Sequence, residues 1–256
     1  MEKLYKQIIK EIFISGKRIK SMAGSIKDVG IKKKYLTEED IKIERNLKSI
    51  INKNESSHLF CAEEENEKFV SGKDVWVVDP ISGTKSFIKG DGHYAVVVSH
   101  VHKGVSVFGA VYDVVRDELY VAKKGSGAFL NDKIIKVNET KKDIPKIILR
   151  ISYDWADDEK AKQITSELKY NYDINIIDGS MAITDCQIAS GKYDGIITFA
   201  KDSFPEFASS LIVKEAGGIY QSINGSNEVE FSDRIFVAGN KNIQPHLFKI
   251  AQKYYK

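Results

Sequence analysis

A mixed α/β fold is what this sequence predicts, on three observations. Two stretches near the N-terminus carry apolar residues at helical spacing, and a block of β-type runs separated by turns follows over residues 93–123. A polar, proline-ended connection, Lys136 to Pro145, then gives way to short apolar runs that alternate with helical patterns. Alternation of that kind implies an α/β second half. The connection divides the chain into expected parts 1–140 and 141–256.

The elements follow in order. Leu4, Ile8, Ile9, Ile12 and Ile19 define an amphipathic helix over residues 2–22, and Gly24 and Gly30 bracket a loop. Thr37 starts a second helix that turns Ile43, Leu47, Ile50 and Ile51 inward. Val75 to Val78 reads as a buried strand that stops with a carboxylate at its tip, Asp79-Pro80, before a tight loop through Gly83-Thr84 to Ser86-Phe87. Strands are expected at Tyr94 to Val101, Val105 to Tyr112 and Leu119 to Ala122. In the second half, strands fall at Ile147 to Ile151, Ile174 to Ile177, Gly195 to Phe199 and Phe236 to Ala238. Helices fall at Asp157 to Leu168, Met181 to Ser190, Glu206 to Ala216 and Pro245 to Tyr255.

A chain of 256 residues with 42% hydrophobic content builds an ordinary globular core, as one large domain or two modest ones. The 39 basic and 36 acidic residues leave a formal charge of +3, too balanced to argue for a nucleic-acid partner. The Lys-rich stretch Lys27 to Lys34 reads as a solvated loop. Cys61 and Cys186, far apart in apolar surroundings, read as reduced core thiols of a cytoplasmic protein. The five histidines show no metal-type spacing. No signal-peptide layout and no apolar run of membrane-span length stands in the sequence, so no membrane partner is expected.

Chemistry concentrates at Asp79 to Phe87. A tight turn after a strand can aim several backbone N–H groups at one anion, and a carboxylate beside such a cradle suits a hard divalent cation. Glu63-Glu64-Glu65 follows the apolar Leu59-Phe60-Cys61 and reads either as a solvated acidic turn or as a ligand source. Thr37-x-x-Asp40 matches a helix capping box, which needs no catalysis, although capping would also fix the helix that presents Asp40.

Asp79-Pro-Ile-Ser-Gly-Thr84 resembles the Asp-Pro-Ile-Asp-Gly-Thr signature of the inositol monophosphatase superfamily of Mg-dependent, lithium-sensitive phosphatases. Further landmarks stand in order: Ala62-Glu63-Glu64, Leu36-Thr-Glu-Glu-Asp40, Gly125-Ser-Gly-Ala-Phe-Leu-Asn131, Asp178-Gly-Ser180, Ile188-Ala-Ser-Gly-Lys-Tyr-Asp194 and Leu211-Ile-Val-Lys-Glu-Ala-Gly-Gly218. The resemblance implies a five-layered αβαβα sandwich, an α+β N-terminal part with an α/β C-terminal part, and a homodimer.

It also implies a site. One Mg²⁺ would be held by Glu63, Asp79, the Ile81 carbonyl and the Thr84 hydroxyl, with Thr84 and Asp40 relaying a proton from the attacking water. Phosphate would meet the N–H groups of Ser82, Gly83 and Thr84, and substrate would meet Gly179, Ser180 and Thr198. The sequence departs from the family at both remaining ligands of a second cation, which fall on Ser82 and Pro205. Asp202 and Glu206 are candidate replacements; Glu206 otherwise reads as an exposed first-turn residue, with Asp202 or Ser203 capping the helix.

Thr198 stands where inositol-type members carry a carboxylate, while Thr84-Lys-Ser-Phe87 is closer to members acting on histidinol phosphate or nucleotide bisphosphates. The expectation is hydrolysis of a small phosphate ester. The alternative, on the same lost ligands, is a silent or repurposed member that binds a phosphorylated ligand or a protein.

Overall fold

Helix α1 (Glu2–Met22) and helix α2 (Glu38–Asn54) lie against one another in the computed structural model, which describes residues 1–31, 34–64, 73–139, 143–177 and 179–255. Thr37 caps α2 with a complete capping box. The first sheet follows in sequence order: β1 (Leu59–Ala62), β2 (Asp74–Ser82), then helix α3 (Thr84–Lys89), β3 (Ala95–His102), β4 (Val105–Asp113), β5 (Glu118–Lys123), β6 (Ala128–Leu130) and β7 (Lys133–Ile135). β1 pairs parallel with β2, and every later pair is antiparallel.

The second sheet draws on β8 (Lys146–Ile151), β9 (Asp173–Ile176), β10 (Gly195–Phe199), β11 (Ile219–Ser222) and β12 (Ile235–Gly239), in the order β11-β12-β10-β8-β9. β8 runs parallel to both β9 and β10. Its helices are α4 (Glu159–Leu168), α5 (Met181–Ala189), α6 (Phe204–Glu215) and α7 (Gln244–Tyr255).

Strand periodicity sorts side chains into three cores and so stacks five layers. Along β2, Trp76 and Val78 face α1 and α2, meeting Ile8, Ile12, Ile43 and Leu47. Val75 and Val77 face the other way, onto Cys186 of α5 and Phe207 and Leu211 of α6. The same middle core receives Ile148, Ile196 and Phe236 from the second sheet. The opposite face of that sheet, with Ile147, Leu149, Ile197 and Val237, packs on Ile164 of α4 and Leu247 of α7. Both sheets are covered on both sides, which is why their strands read as continuous apolar runs.

Several expectations change. β2 does not stop at Asp79; it runs to Ser82 with a register shift between Asp79 and Ser82, where Pro80 supplies no ladder N–H. The expected tight loop is instead α3, whose N-cap Gly83 takes a left-handed conformation. Helix α4 starts at Glu159, because Asp158 caps it and Tyr153–Trp155 forms a separate 3-10 turn. Helix α6 starts at Phe204, with Pro205 tolerated in its first turn. Ser203 makes no side-chain cap; Asp202 accepts the Phe204 N–H at 3.3 Å. β11 was not expected, being a four-residue run directly after a glycine pair. Cys61 and Cys186 are buried, unbridged thiols.

Candidate active site

A cleft of about 180 Å³ opens where the C-terminal ends of β2, β8 and β10 meet α6. Chain topology explains who lines it. The parallel register places Ala62 beside Val78, and the Glu63 N–H continues it by donating to the Val78 carbonyl at 3.1 Å. Glu63 therefore stands next to Asp79, and both carboxylates enter the cleft. The bulge after Asp79 turns Ile81, Ser82, Gly83 and Thr84 along the same wall.

Gly83 and Gly179 make the closure possible. A Cβ at Gly83 would stand 2.7 Å from the His93 carbonyl oxygen, and one at Gly179 would stand 2.4 Å from the same atom. Both have positive φ, +91° and +102°, so only glycine lets the two loops meet there without strain.

The donors at Glu63, Asp79, Ile81 and Thr84 fit one hard cation. They are two carboxylates, a carbonyl and a hydroxyl, all oxygen. The Thr84 Oγ1 lies 2.7 Å from the Ile81 carbonyl oxygen. Adjacent ligands of an octahedral Mg²⁺ are about 2.9 Å apart, given bonds of about 2.0–2.1 Å. A cationic group already approaches this corner, since the Lys201 Nζ sits 3.9 Å from Glu63 Oε1.

The residues at a second cation position do not fit. Pro205 lines the cleft but offers no side-chain donor, and the buried Ser82 hydroxyl accepts a 2.8 Å hydrogen bond from Ser180 Oγ. Glu206 is not the exposed residue expected. It is fully buried, neither carboxylate oxygen has a hydrogen-bond partner, and burial, reinforced by Asp185 and Asp202, holds its pKa well above the usual carboxylate range. Helix α6 is buried from Pro205 through Val213, so its first turn, with Glu206, lies in the interior.

Three anticipated site residues stand behind the wall. Asp40 is buried, with Oδ2 accepting from the Thr37 hydroxyl at 2.6 Å and the Thr37 N–H at 2.8 Å. Burial pushes its pKa up to about 7 against those two hydrogen bonds, and Asp40 Oδ1 has no partner. No hydrogen bond joins Asp40 to Thr84, whose hydroxyl donates to Ile81 instead. Ser180 is buried and caps α5, and Thr198 is buried within β10. Glu65 and Asp178 lie outside the described residues.

The cleft also carries residues that motif reading missed. Arg150, at the end of β8, donates from its guanidinium to the Gly179 carbonyl. Lys201 follows β10 by two residues, and Lys34, Tyr35 and Lys85 complete the rim. Lys34 comes from the stretch read as merely solvated; the Asp28 carboxylate ties its loop down by accepting the N–H groups of Gly30, Tyr35 and Leu36. A signal for Arg150 and Lys201 existed, because ligands in α/β sheets bind beyond the carboxyl ends of the strands.

Among the described residues, one group of histidine and carboxylate atoms lies within metal-binding distance, at 4.8 Å or less: His58, Asp74 and His100. Asp74 opens β2, five residues and roughly 17 Å of strand from Asp79. The Trp76 indole donates to His58 Nδ1 at 3.2 Å, which keeps a neutral His58's proton on Nε2. His100 bonds Tyr5 through Nδ1 and Asp74 through Nε2, both at 2.9 Å. This is a satisfied polar network under α1, and burial pushes His100 down to about 4 despite Asp74.

A model of the Inositol monophosphatase family matches residues 1–256. Nus factor SuhB of Pasteurella multocida is 30% identical over 223 residues, covering 84% of this chain and 82% of its own. A fructose-1,6-bisphosphatase/inositol-1-monophosphatase of Aquifex aeolicus is 29% identical over 259 residues, covering 98% and 97%. The solved IMPase of Thermotoga maritima shares the fold, with a TM-score of 0.85 at 24% identity over 100% of this chain and 98% of its own.

Proposed function

Because the chain belongs to the inositol monophosphatase family, we propose that it hydrolyses a small phosphate monoester in the cleft at Asp79, with one divalent cation. The observation that carries this reading is the convergence of Glu63, Asp79, Ile81 and Thr84 as an all-oxygen donor set. When bound there, Mg²⁺ would supply positive charge and a water of lowered pKa.

The chain's own groups do the rest. Glu63 and Asp79 hold the cation, and the amides of Ser82, Gly83 and Thr84 face the phosphate from the start of α3, where the first N–H groups of a helix lack intrahelical acceptors. Asp40 serves as the proton acceptor at Oδ1, with Thr84 turning its hydroxyl from Ile81 to pass the proton on. A carboxyl titrating near 7 is matched to that task at neutral pH. Gly179 and Met181 also line the cleft where the ester would lie. No step runs through a second cation. Histidinol-phosphate-like and nucleotide-bisphosphate-like esters rank above inositol phosphate, because Thr198 supplies no carboxylate and stays buried. The protein acts in the cytoplasm, as a homodimer, with its two thiols reduced.

A second reading is favoured by Ser82 and Pro205 alone: a binding role without turnover, and among the relatives is one named Nus factor SuhB. Phosphate release from a panel of esters, with and without Mg²⁺, separates the two. The phosphatase reading expects Mg²⁺-dependent release that Asp79→Asn abolishes and Ser82→Ala spares. Absence of release from every ester would leave the binding role.

A further inference from the structure

The positions of the two missing carboxylates and two cationic side chains line the same cleft. Ser82 and Pro205 remove negative charge, while Arg150 and Lys201 bring positive charge to it. The fold delivers both cations together. β8 and β10 are parallel neighbours with Thr198 beside Arg150, so their carboxyl ends open on one side. Arg150 is fixed by its bond to the Gly179 carbonyl, beside the glycine loop that lines the cleft. The segment carrying Lys201 is fixed as well: the Ser152 N–H donates to the Phe199 carbonyl at 2.9 Å, and the Trp155 indole to the Ala200 carbonyl at 2.9 Å. Lys201 points back across the cleft towards Glu63, 3.9 Å away.

We propose that Arg150 and Lys201 form an anion-binding subsite that substitutes for the second cation and holds a phosphomonoester dianion without any divalent metal. The inference rests on the phosphatase reading and specifies how its ground state is bound. The chemistry is complementary. Arg150 and Lys201 each bring a unit charge to a cleft that Glu63, Asp79 and Asp202 also line. A guanidinium offers paired N–H donors to phosphate oxygens, and an ammonium adds a point charge. Ser82 and Pro205 are then part of the same design, because a carboxylate at either position would add to the negative charge of Glu63, Asp79 and Asp202. Purely local roles are the competing account: Arg150 bracing Gly179, and Lys201 neutralising Glu63. Under that account neither side chain affects anion affinity.

The test is a calorimetric titration of the full chain with inorganic phosphate at low salt, in EDTA and again in Mg²⁺. The subsite predicts saturable binding in EDTA that weakens as salt rises. Lys201→Gln should weaken it about 10–100-fold, the range for losing one hydrogen bond to a charged group. Arg150→Gln should do the same, and Arg150→Lys should recover part of the loss, with melting temperatures reported alongside. If Arg150→Gln does not fold, Lys201→Gln decides alone, since its side chain is partly exposed. Binding in Mg²⁺ but not in EDTA overturns the subsite and leaves the phosphatase reading standing. Binding in neither condition overturns both. Binding in EDTA that Lys201→Gln leaves unchanged also overturns the subsite.

Discussion

Replacing Asp185 by Asn is expected to remove much of the protein's loss of stability between about pH 4 and pH 7. Asp185 is 1% exposed in α5, and its Oδ2 accepts from the Ser209 hydroxyl at 2.5 Å and the Tyr220 hydroxyl at 3.2 Å. Burial outweighs both bonds and pushes its pKa from 3.8 up to about 7. The folded state therefore binds this proton more tightly than the unfolded chain does. The resulting stability is complete below pH 3.8 and is lost as pH rises through about 7. The span of 7 − 3.8 = 3.2 pH units corresponds to at most about 4 kcal/mol. For a domain of this size that is a melting shift on the order of 10 °C. Asn keeps the shape and can accept from Ser209, but it never ionises. In EDTA, the melting temperature of wild type relative to Asp185→Asn should fall by about 5 °C between pH 5.5 and 8.5, because 7 − 5.5 = 1.5 of the pH units, or about 2 kcal/mol, lies above pH 5.5. Asp40 titrates in the same window with the same sign and leaves the variant a shallower slope of its own. Melting curves that run parallel from pH 5.5 to 8.5 would show that Asp185 does not titrate in that range.

The acid side should be governed by His100, whose pKa burial lowers from 6.5 to about 4. Its stability is present above 6.5 and is lost as pH falls through about 4; the 2.5-unit difference is worth at most about 3 kcal/mol. Urea midpoints between pH 7 and 4 should fall less in His100→Gln than in wild type. If the missing carboxylates alone limit the site, Ser82→Asp combined with Pro205→Asp should restore a second cation site and raise ester hydrolysis, and Ser82→Asp alone should do worse than the pair; if Arg150 and Lys201 have taken over that role, neither variant gains activity, and metal stoichiometry and phosphate release measure both. Asp is acceptable at 205 because a first-turn carboxylate interacts well with the helix N-terminus.

Much of the layering could be read from the sequence because its period is unambiguous. Trp76 and Val78 against Val75 and Val77 announce a strand buried on both faces, and both cores are found in the structure. The landmarks around Asp79 likewise come together in one cleft, since Glu63 and Asp79 lie on adjoining parallel strands. What sequence reading missed depends on distance along the chain. Arg150 ends an apolar run that looks like core, and only the β8–β10 pairing shows that it faces the same opening as Lys201. Glu206 looked exposed because a first-turn Glu after Pro usually is, but α6 is packed on both sides and the turn faces inward. The Thr37–Asp40 capping box was readable because it is local; the absence of a bond from Asp40 to Thr84 was not, because it depends on which acceptor the Thr84 hydroxyl finds.

The cleft is proposed as a one-cation, all-oxygen site. A crystal soaked in Mn²⁺, with anomalous scattering recorded, tests it most directly. The expected result is a single well-occupied ion touching Glu63, Asp79, the Ile81 carbonyl and Thr84. Two full-occupancy ions about 3.5–4 Å apart, or an ion held only at His58, Asp74 and His100, would contradict it.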